Sequence, residues 1–259
     1  MQSEKILIKV GTSTLTHTNG MINLRRVEQL SKVISELQNS GKKVILVSSG
    51  AVGVGVGKLS LTSRPKDIET KQAVAAVGQC ELMFIYDKFF GEYNHTIAQI
   101  LLTRRTIDNE TTRNNVINTV NKLLEMGVIP IVNENDTVAV DELDGENFGD
   151  NDMLSAIVAK ILKVDKLIIL TDIDGLYDKN PATNDDAVLI SCVEEITDDI
   201  IAMAGGSVSN CGTGGMATKV TAAQLATAVN IETIILNGSN PNILYDYFSG
   251  EQIGTTFKC

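Results

Sequence analysis

Six short apolar runs, separated by longer stretches of helical periodicity, restrict the fold of this chain more than any other feature. They are 5–10 (KILIKV), 43–47 (KVILV), 96–102 (TIAQILL), 128–132 (VIPIV), 166–170 (KLIIL) and 232–236 (ETIIL). Each is rich in β-branched residues and ends in a polar or glycine-rich segment, which predicts a strand. Helices are expected between them. Leu24 to Asn39 carries Val27, Leu30, Ile34 and Leu37, with Gly41 where a C-cap belongs. Ile68 to about Tyr93 reads as one or two helices, and Thr111 to Met126 ends before Gly127. Asp152 to Leu162 and Met216 to Val229 complete the set. Strand and helix alternate, so the expected class is α/β: a three-layer αβα sandwich around a mostly parallel sheet.

Composition agrees. Hydrophobic residues make up 43% of 259, aromatics only 4%, and Trp is absent. The core must therefore be Val, Ile, Leu and Ala, which suits strands buried on both faces. The net charge of −10 comes from 22 basic against 32 acidic residues, without a basic cluster. Nucleic acid is thus not an expected partner. No apolar stretch approaches the roughly 18 residues of a membrane span, so no membrane partner is expected. Cys80, Cys192, Cys211 and Cys259 show no CxxC spacing and His17 and His95 are the only histidines. No metal site is expected from them. Free thiols, and Glu4 and Lys5 interrupting any leader-like run, lead to an expected cytoplasmic location.

In an open parallel sheet, ligands bind beyond the C-terminal ends of the strands. Lys9 and Gly11 close the first run, in a phosphate-facing arrangement or as an exposed edge. The second run opens into Ser48-Ser49-Gly50-Ala51 and a Gly-Val segment to Gly57. That segment reads as a loop presenting backbone N–H groups to an anion, or as plain packing between helix and sheet. It is no Walker A loop, which would need Gly at Val52 and Ser or Thr at Leu59. The fourth run leads to Asn133-Glu-Asn135-Asp136, and Gly149-Asp150-Asn151-Asp152 opens a helix, with Asp150 or Asn151 as N-cap. The acidic segment 141–147 reads as a solvated loop. Thr171, Asp172 and Tyr177 follow the fifth run, in a nucleotide-facing exit or an ordinary Asp-Gly turn. Gly212 to Lys219 puts glycines at a helix start and a lysine one turn inside. No triad for covalent catalysis is apparent. Lysines and backbone N–H groups suffice for phosphoryl transfer.

These segments, Lys9 to Thr16, Val47 to Ala51, Asn133 to Asp136, Gly149 to Asp152, Thr171 to Tyr177 and Gly212 to Lys219, resemble the glutamate 5-kinases in order and across essentially the whole chain. That family lies in the amino acid kinase (carbamate kinase-like) superfamily. The resemblance implies phosphorylation of the L-glutamate γ-carboxylate by ATP with Mg²⁺, the first step of proline biosynthesis. It implies Lys9, Lys219 and Asp152 as catalytic residues. Ser49, Gly50, Asn135, Asp136, Asp150 and Asn151 would bind glutamate. Lys9, Gly11, Thr171, Asp172, Tyr177, Thr213, Gly214, Gly215, Met216, Ala217, Thr218 and Lys219 would bind ATP. One kinase domain is expected over 1–259, mainly glutamate-binding at first and mainly ATP-binding from about 165. The C-terminal PUA domain of many members is not expected. A homodimer or tetramer and feedback inhibition by L-proline follow from the family and from no residue that can be isolated. Two other readings stay open: a related kinase with a different acceptor, and a nucleotide or amino-acid sensor without catalysis.

Overall fold

Eight strands in one sheet make up the centre of the computed structural model, which describes residues 3–17, 20–139, 150–205 and 215–259. The strands are β1 (Lys5–Val10), β2 (Lys43–Ser48), β3 (Ile97–Leu102), β4 (Ile129–Glu134), β5 (Lys166–Thr171), β6 (Cys192–Val193), β7 (Glu232–Asn237) and β8 (Thr255–Phe257). Their order is β3-β4-β2-β1-β5-β7-β8-β6. The first six in that order run parallel, and β8 joins β7 antiparallel. Register sets Val10 beside Ser48 and Leu170, and Thr171 beside Asn237. All six long strands therefore end at one edge. From β1 the chain moves toward β2, and from β5 it moves the other way toward β7. The crevice between the ends of β1 and β5 is the switch point where such sheets bind ligands.

The helices are α1 (Thr12–Leu15), α2 (Leu24–Asn39), α3 (Ala51–Lys58), α4 (Ile68–Glu92), α5 (Arg104–Asp108), α6 (Glu110–Glu125), α7 (Asn151–Leu162), α8 (Asp198–Met203), α9 (Met216–Thr227) and α10 (Ile243–Phe248). Side chains alternate across each strand. Ile6, Ile8 and Val10 meet α2 and α4 on one face through Leu30, Ile34, Leu82 and Tyr86. Leu7, Ile45 and Ile169 meet α6, α7 and α9 on the other through Val120, Leu154 and Val220. Both faces are covered, as the run pattern predicts, and the three-layer αβα architecture holds. Cys80, Cys192 and Cys259 are free thiols; Cys211 and the acidic segment 141–147 lie outside the described residues. Among the described residues no helix is long and apolar enough to cross a membrane.

One expectation needs correction. The Gly-Val segment after Ser49 is not a loop but α3, with Gly50 at its N-cap in the left-handed region (φ 102°). Glycine opposes helix by about 1 kcal/mol per residue, so local sequence argues against this element. Packing against α4 overrides it. A methyl group at Gly78 would stand 1.8 Å from the Ala51 carbonyl oxygen, and one at Gly55 2.0 Å from that of Val74. Only glycine lets the two backbones approach so closely. Gly78→Ala is expected to lower stability by about 2 kcal/mol through overpacking. A thermal melt unchanged from the parent protein would refute this account of the α3–α4 contact.

Candidate active site

Three long elements deliver three charges to one buried point. Lys9 is the next-to-last residue of β1, Asp152 sits in the first turn of α7, and Lys219 in the first turn of α9. The Lys9 Nζ lies 2.6 Å from Asp152 Oδ1, and the Lys219 Nζ 3.1 Å from Oδ2. The Asp152 side chain is wholly buried and the two lysines nearly so. Lys9 is thus no edge lysine. Thr218 Oγ1 also donates to Asp152 Oδ2, at 3.0 Å. Burial pushes the Asp152 carboxyl up, but the ammonium groups of Lys9 and then Lys219 outweigh it and hold it below the usual carboxylate range. Two cations share one anion, so the cluster carries one net positive charge.

That charge faces a cleft of about 520 Å³ at the switch point. Lys9, Gly11, Ser49, Gly50, Asp136, Asp150, Asn151, Thr171, Asp172 and Lys219, all anticipated from the sequence, line it. The first turns of α3 and α7 border the cleft at Ala51 and Asn151, and Lys219 brings in the first turn of α9. Helix N-termini carry partial positive charge and unpaired N–H groups, which favour an anion. Asp150 serves as the N-cap, accepting from the Asp152 backbone N–H, and its Oδ2 lies 3.3 Å from Thr218 Oγ1. The arrangement suits a bound polyanion whose charge must be held close to a second reactant.

Other anticipated residues take different places. Asn135 forms the turn after β4, accepting from Thr137, and does not line the cleft. Tyr177 also stands off it, donating to Asp174, which in turn accepts from Asn237 at the end of β7. Met216 packs into the core beneath α9. Gly215 caps α9, and its carbonyl lies 2.8 Å from Thr218 Oγ1. Ala217 follows in the same turn, with its side chain outside the cleft lining. Thr213 and Gly214 lie outside the described residues.

Several lining residues had drawn no assignment from the sequence. Arg64 and Lys71, from the segment joining α3 to α4 and from α4 itself, add positive charge to the lining that also holds Asp136. Asn133, first of the Asn-Glu-Asn-Asp run, is buried and donates to the buried Gln79 of α4 at 2.8 Å. Gln79 had a legible signal. It lies four residues after Ala75 and three before Leu82, both buried, so a polar side chain stands on an apolar helix face.

The amino acid kinase family model matches residues 4–237. The glutamate 5-kinase of Clostridium perfringens (strain 13 / Type A) is 59% identical over 256 residues, covering 98% of this chain and 95% of that protein. This chain belongs to the glutamate 5-kinases of the amino acid kinase family. The glutamate 5-kinase of Listeria monocytogenes serovar 1/2a is 57% identical over 256 residues, covering 98% and 93%. Among solved structures, the UMP kinase of Bacillus anthracis superposes with a TM-score of 0.66 at 16% identity, covering 98% and 96%. That likeness concerns the fold. Within an amino acid kinase, the Lys9–Asp152–Lys219 cluster at the strand ends has the chemistry a phosphoryl-transfer site needs.

Proposed function

We propose that this chain transfers the γ-phosphoryl group of ATP to the γ-carboxylate of L-glutamate, giving L-glutamyl 5-phosphate and ADP. The observation that carries the reading is the buried pair of lysines held on one aspartate at the mouth of the cleft. A glutamate carboxylate has an ordinary pKa of about 4.3 and is ionised at neutral pH. It needs no base to act as nucleophile, in keeping with a cleft that has no histidine in its lining. One carboxylate oxygen attacks the γ-phosphorus in line, and the bond to the β–γ bridging oxygen breaks with its electrons leaving on ADP. Negative charge shifts during that passage, and Lys9 and Lys219 meet it without first having to reorganise, because Asp152 already fixes both.

Ser49, Asp136 and Asn151 bind glutamate, and Thr171, Asp172 and the first turn of α9 bind ATP. The chain is thereby divided in function near residue 165, the two parts meeting at the crevice. Mg²⁺ arrives on the phosphates of ATP as part of the nucleotide substrate. Among the described residues no cluster of three or more His, Cys, Asp or Glu is present. Mg²⁺ would require none, because it keeps several waters and is held through one or two carboxylates together with the substrate phosphates. The carboxylates of Asp150 and Asp172 in the lining fit its preference for hard oxygen. A homodimer or tetramer, inhibition by L-proline and a cytoplasmic location complete the reading, supported by family membership.

The test is an assay with ATP, Mg²⁺ and L-glutamate in which hydroxylamine traps the acyl phosphate. Aspartate, N-acetylglutamate, carbamate and uridine monophosphate serve as competing acceptors, each followed by ADP release. Hydroxamate from glutamate, with little ADP release from the rest, is expected. Turnover with another acceptor alone would overturn the substrate, and ATP binding without any turnover would overturn the reaction. Asp136→Ala is expected to raise the glutamate KM about tenfold or more while kcat stays within about threefold, because its carboxylate binds the ground state and the transition state alike. An unchanged glutamate KM would remove Asp136 from the acceptor site.

A further inference from the structure

A line of amides, buried at Gln79 and Asn133 and half-buried at Asn151, runs from α4 to the acceptor side of the cleft. Gln79 Oε1 accepts from Asn133 Nδ2 at 2.8 Å. Asn133 Oδ1 accepts from Asn151 Nδ2 at 3.1 Å. Asn151 Nδ2 also lies 2.9 Å from Ser49 Oγ, so its two protons are shared among three oxygens. Gln79 itself does not line the cleft, whereas the other three do. The direction of the line is fixed by two backbone groups of unambiguous polarity. The Glu134 N–H donates to Asn133 Oδ1 at 2.9 Å, so that atom is the oxygen and the Asn133 NH₂ must face Gln79. The Ser48 carbonyl accepts from Asn151 Nδ2 at 3.1 Å, so the Asn151 NH₂ must face Ser48 and Ser49. A carbonyl oxygen can only accept and an amide NH₂ can only donate.

The consequence falls on Ser49. Its partner on this line is the Asn151 NH₂, which cannot accept, so the Ser49 O–H is left to donate to something else. Resting on the reading above, we propose that Gln79 is a positioning residue. It supplies the acceptor that anchors Asn133 and, through it, holds Asn151 in place beside the Ser49 hydroxyl, a hydrogen-bond donor to a carboxylate of the bound amino acid. An acceptor site that presents a donor at this point selects a carboxylate. Without the Gln79 oxygen, the buried Asn133 NH₂ loses its partner, and turning the amide over would set its NH₂ against the Glu134 N–H. A buried donor left unpaired is costly, so the line loosens at its far end.

The experiment is a cycle on glutamate kinetics with Gln79→Met, Gln79→Glu, Ser49→Ala and the double variant Ser49→Ala/Gln79→Met, each checked for folding by thermal melting. Gln79→Met is expected to raise the glutamate KM about tenfold, with the ATP KM within about twofold of the parent. Gln79→Glu keeps an accepting oxygen whether ionised or protonated, and its glutamate KM is expected within about threefold of the parent. If Gln79 acts through Ser49, the double variant is expected to be no worse than Ser49→Ala alone, within about twofold. Gln79→Ala makes the same test should Gln79→Met not fold. An unchanged glutamate KM in the apolar variant, a loss in Gln79→Glu as large as in Gln79→Met, or losses that multiply in the double variant would each overturn the relay. Parent protein that makes no glutamyl phosphate would overturn the reaction and the relay with it. Active parent protein with an indifferent Gln79 overturns the relay alone.

Discussion

Asp152→Asn is expected to lower the melting temperature by about 10 °C and to reduce kcat by about 10³-fold or more. The substitution is nearly isosteric, so neither effect is one of volume. It removes the negative charge that both the Lys9 and the Lys219 ammonium groups contact, on a side chain the solvent does not reach. Breaking a buried ion cluster from one side leaves an uncompensated charge and costs about 3–5 kcal/mol. Total stability of a domain is only about 5–15 kcal/mol, so the loss is large. The wild-type pH dependence gives an independent check. The folded carboxyl is held below its ordinary value, so the unfolded chain binds the proton more readily. The stabilisation is therefore fully present above the unfolded value of about 3.9 and is lost as pH falls through the lower, folded value. The melting temperatures of parent and variant are expected to differ most near neutrality and to converge below about pH 4. A constant difference across that range would refute the assignment of the stabilising charge to Asp152.

Lys219→Ala is expected to reduce kcat by about 10³-fold while the glutamate KM stays within about threefold. Asp152 keeps Lys9 as a partner in this variant, so one buried pair survives and the protein is expected to fold. What disappears is the net positive charge of the cluster. That charge interacts more strongly with the transferring phosphoryl group than with either ground state, which is why the loss falls on kcat. Lys219→Arg is not expected to restore the rate, because a planar guanidinium cannot take the place of a compact ammonium at a buried 3.1 Å contact. Steady-state kinetics decide the matter. A glutamate KM raised tenfold with kcat intact would move Lys219 from the transfer step to acceptor binding.

Much of this architecture was legible before any coordinates. The six runs and their β-branched content specify six strands, and all five of the longest helices were expected between them, α2 and α6 from apolar residues recurring every three to four positions. Their shared strand ends marked Lys9, Ser49, Asp136, Thr171 and Asp172 as neighbours although they span much of the chain. The short elements were not legible. β6 has two residues and β8 three, too few for any alternation to register. α3 was hidden for a different reason, since its Ala-Val-Gly-Val-Gly-Val-Gly run alternates with the period of a strand and is poor in helix formers.

What the sequence by itself determined is the layered α/β class, the edge of the sheet where ligands bind, and the residue types available there. Local periodicity and residue chemistry act over a few positions, and those properties need no more. The tertiary structure alone decided which charges meet. Lys9 and Lys219 are 210 positions apart, and only the placement of α7 and α9 beside the end of β1 puts both on the Asp152 carboxylate. It also decided that Gly55 serves contact with α4 rather than anion binding, and that a glutamine on α4 ends a line of amides reaching Ser49. Such pairings are set by packing between elements distant in the chain, where the energy depends on distance and burial that no local pattern encodes.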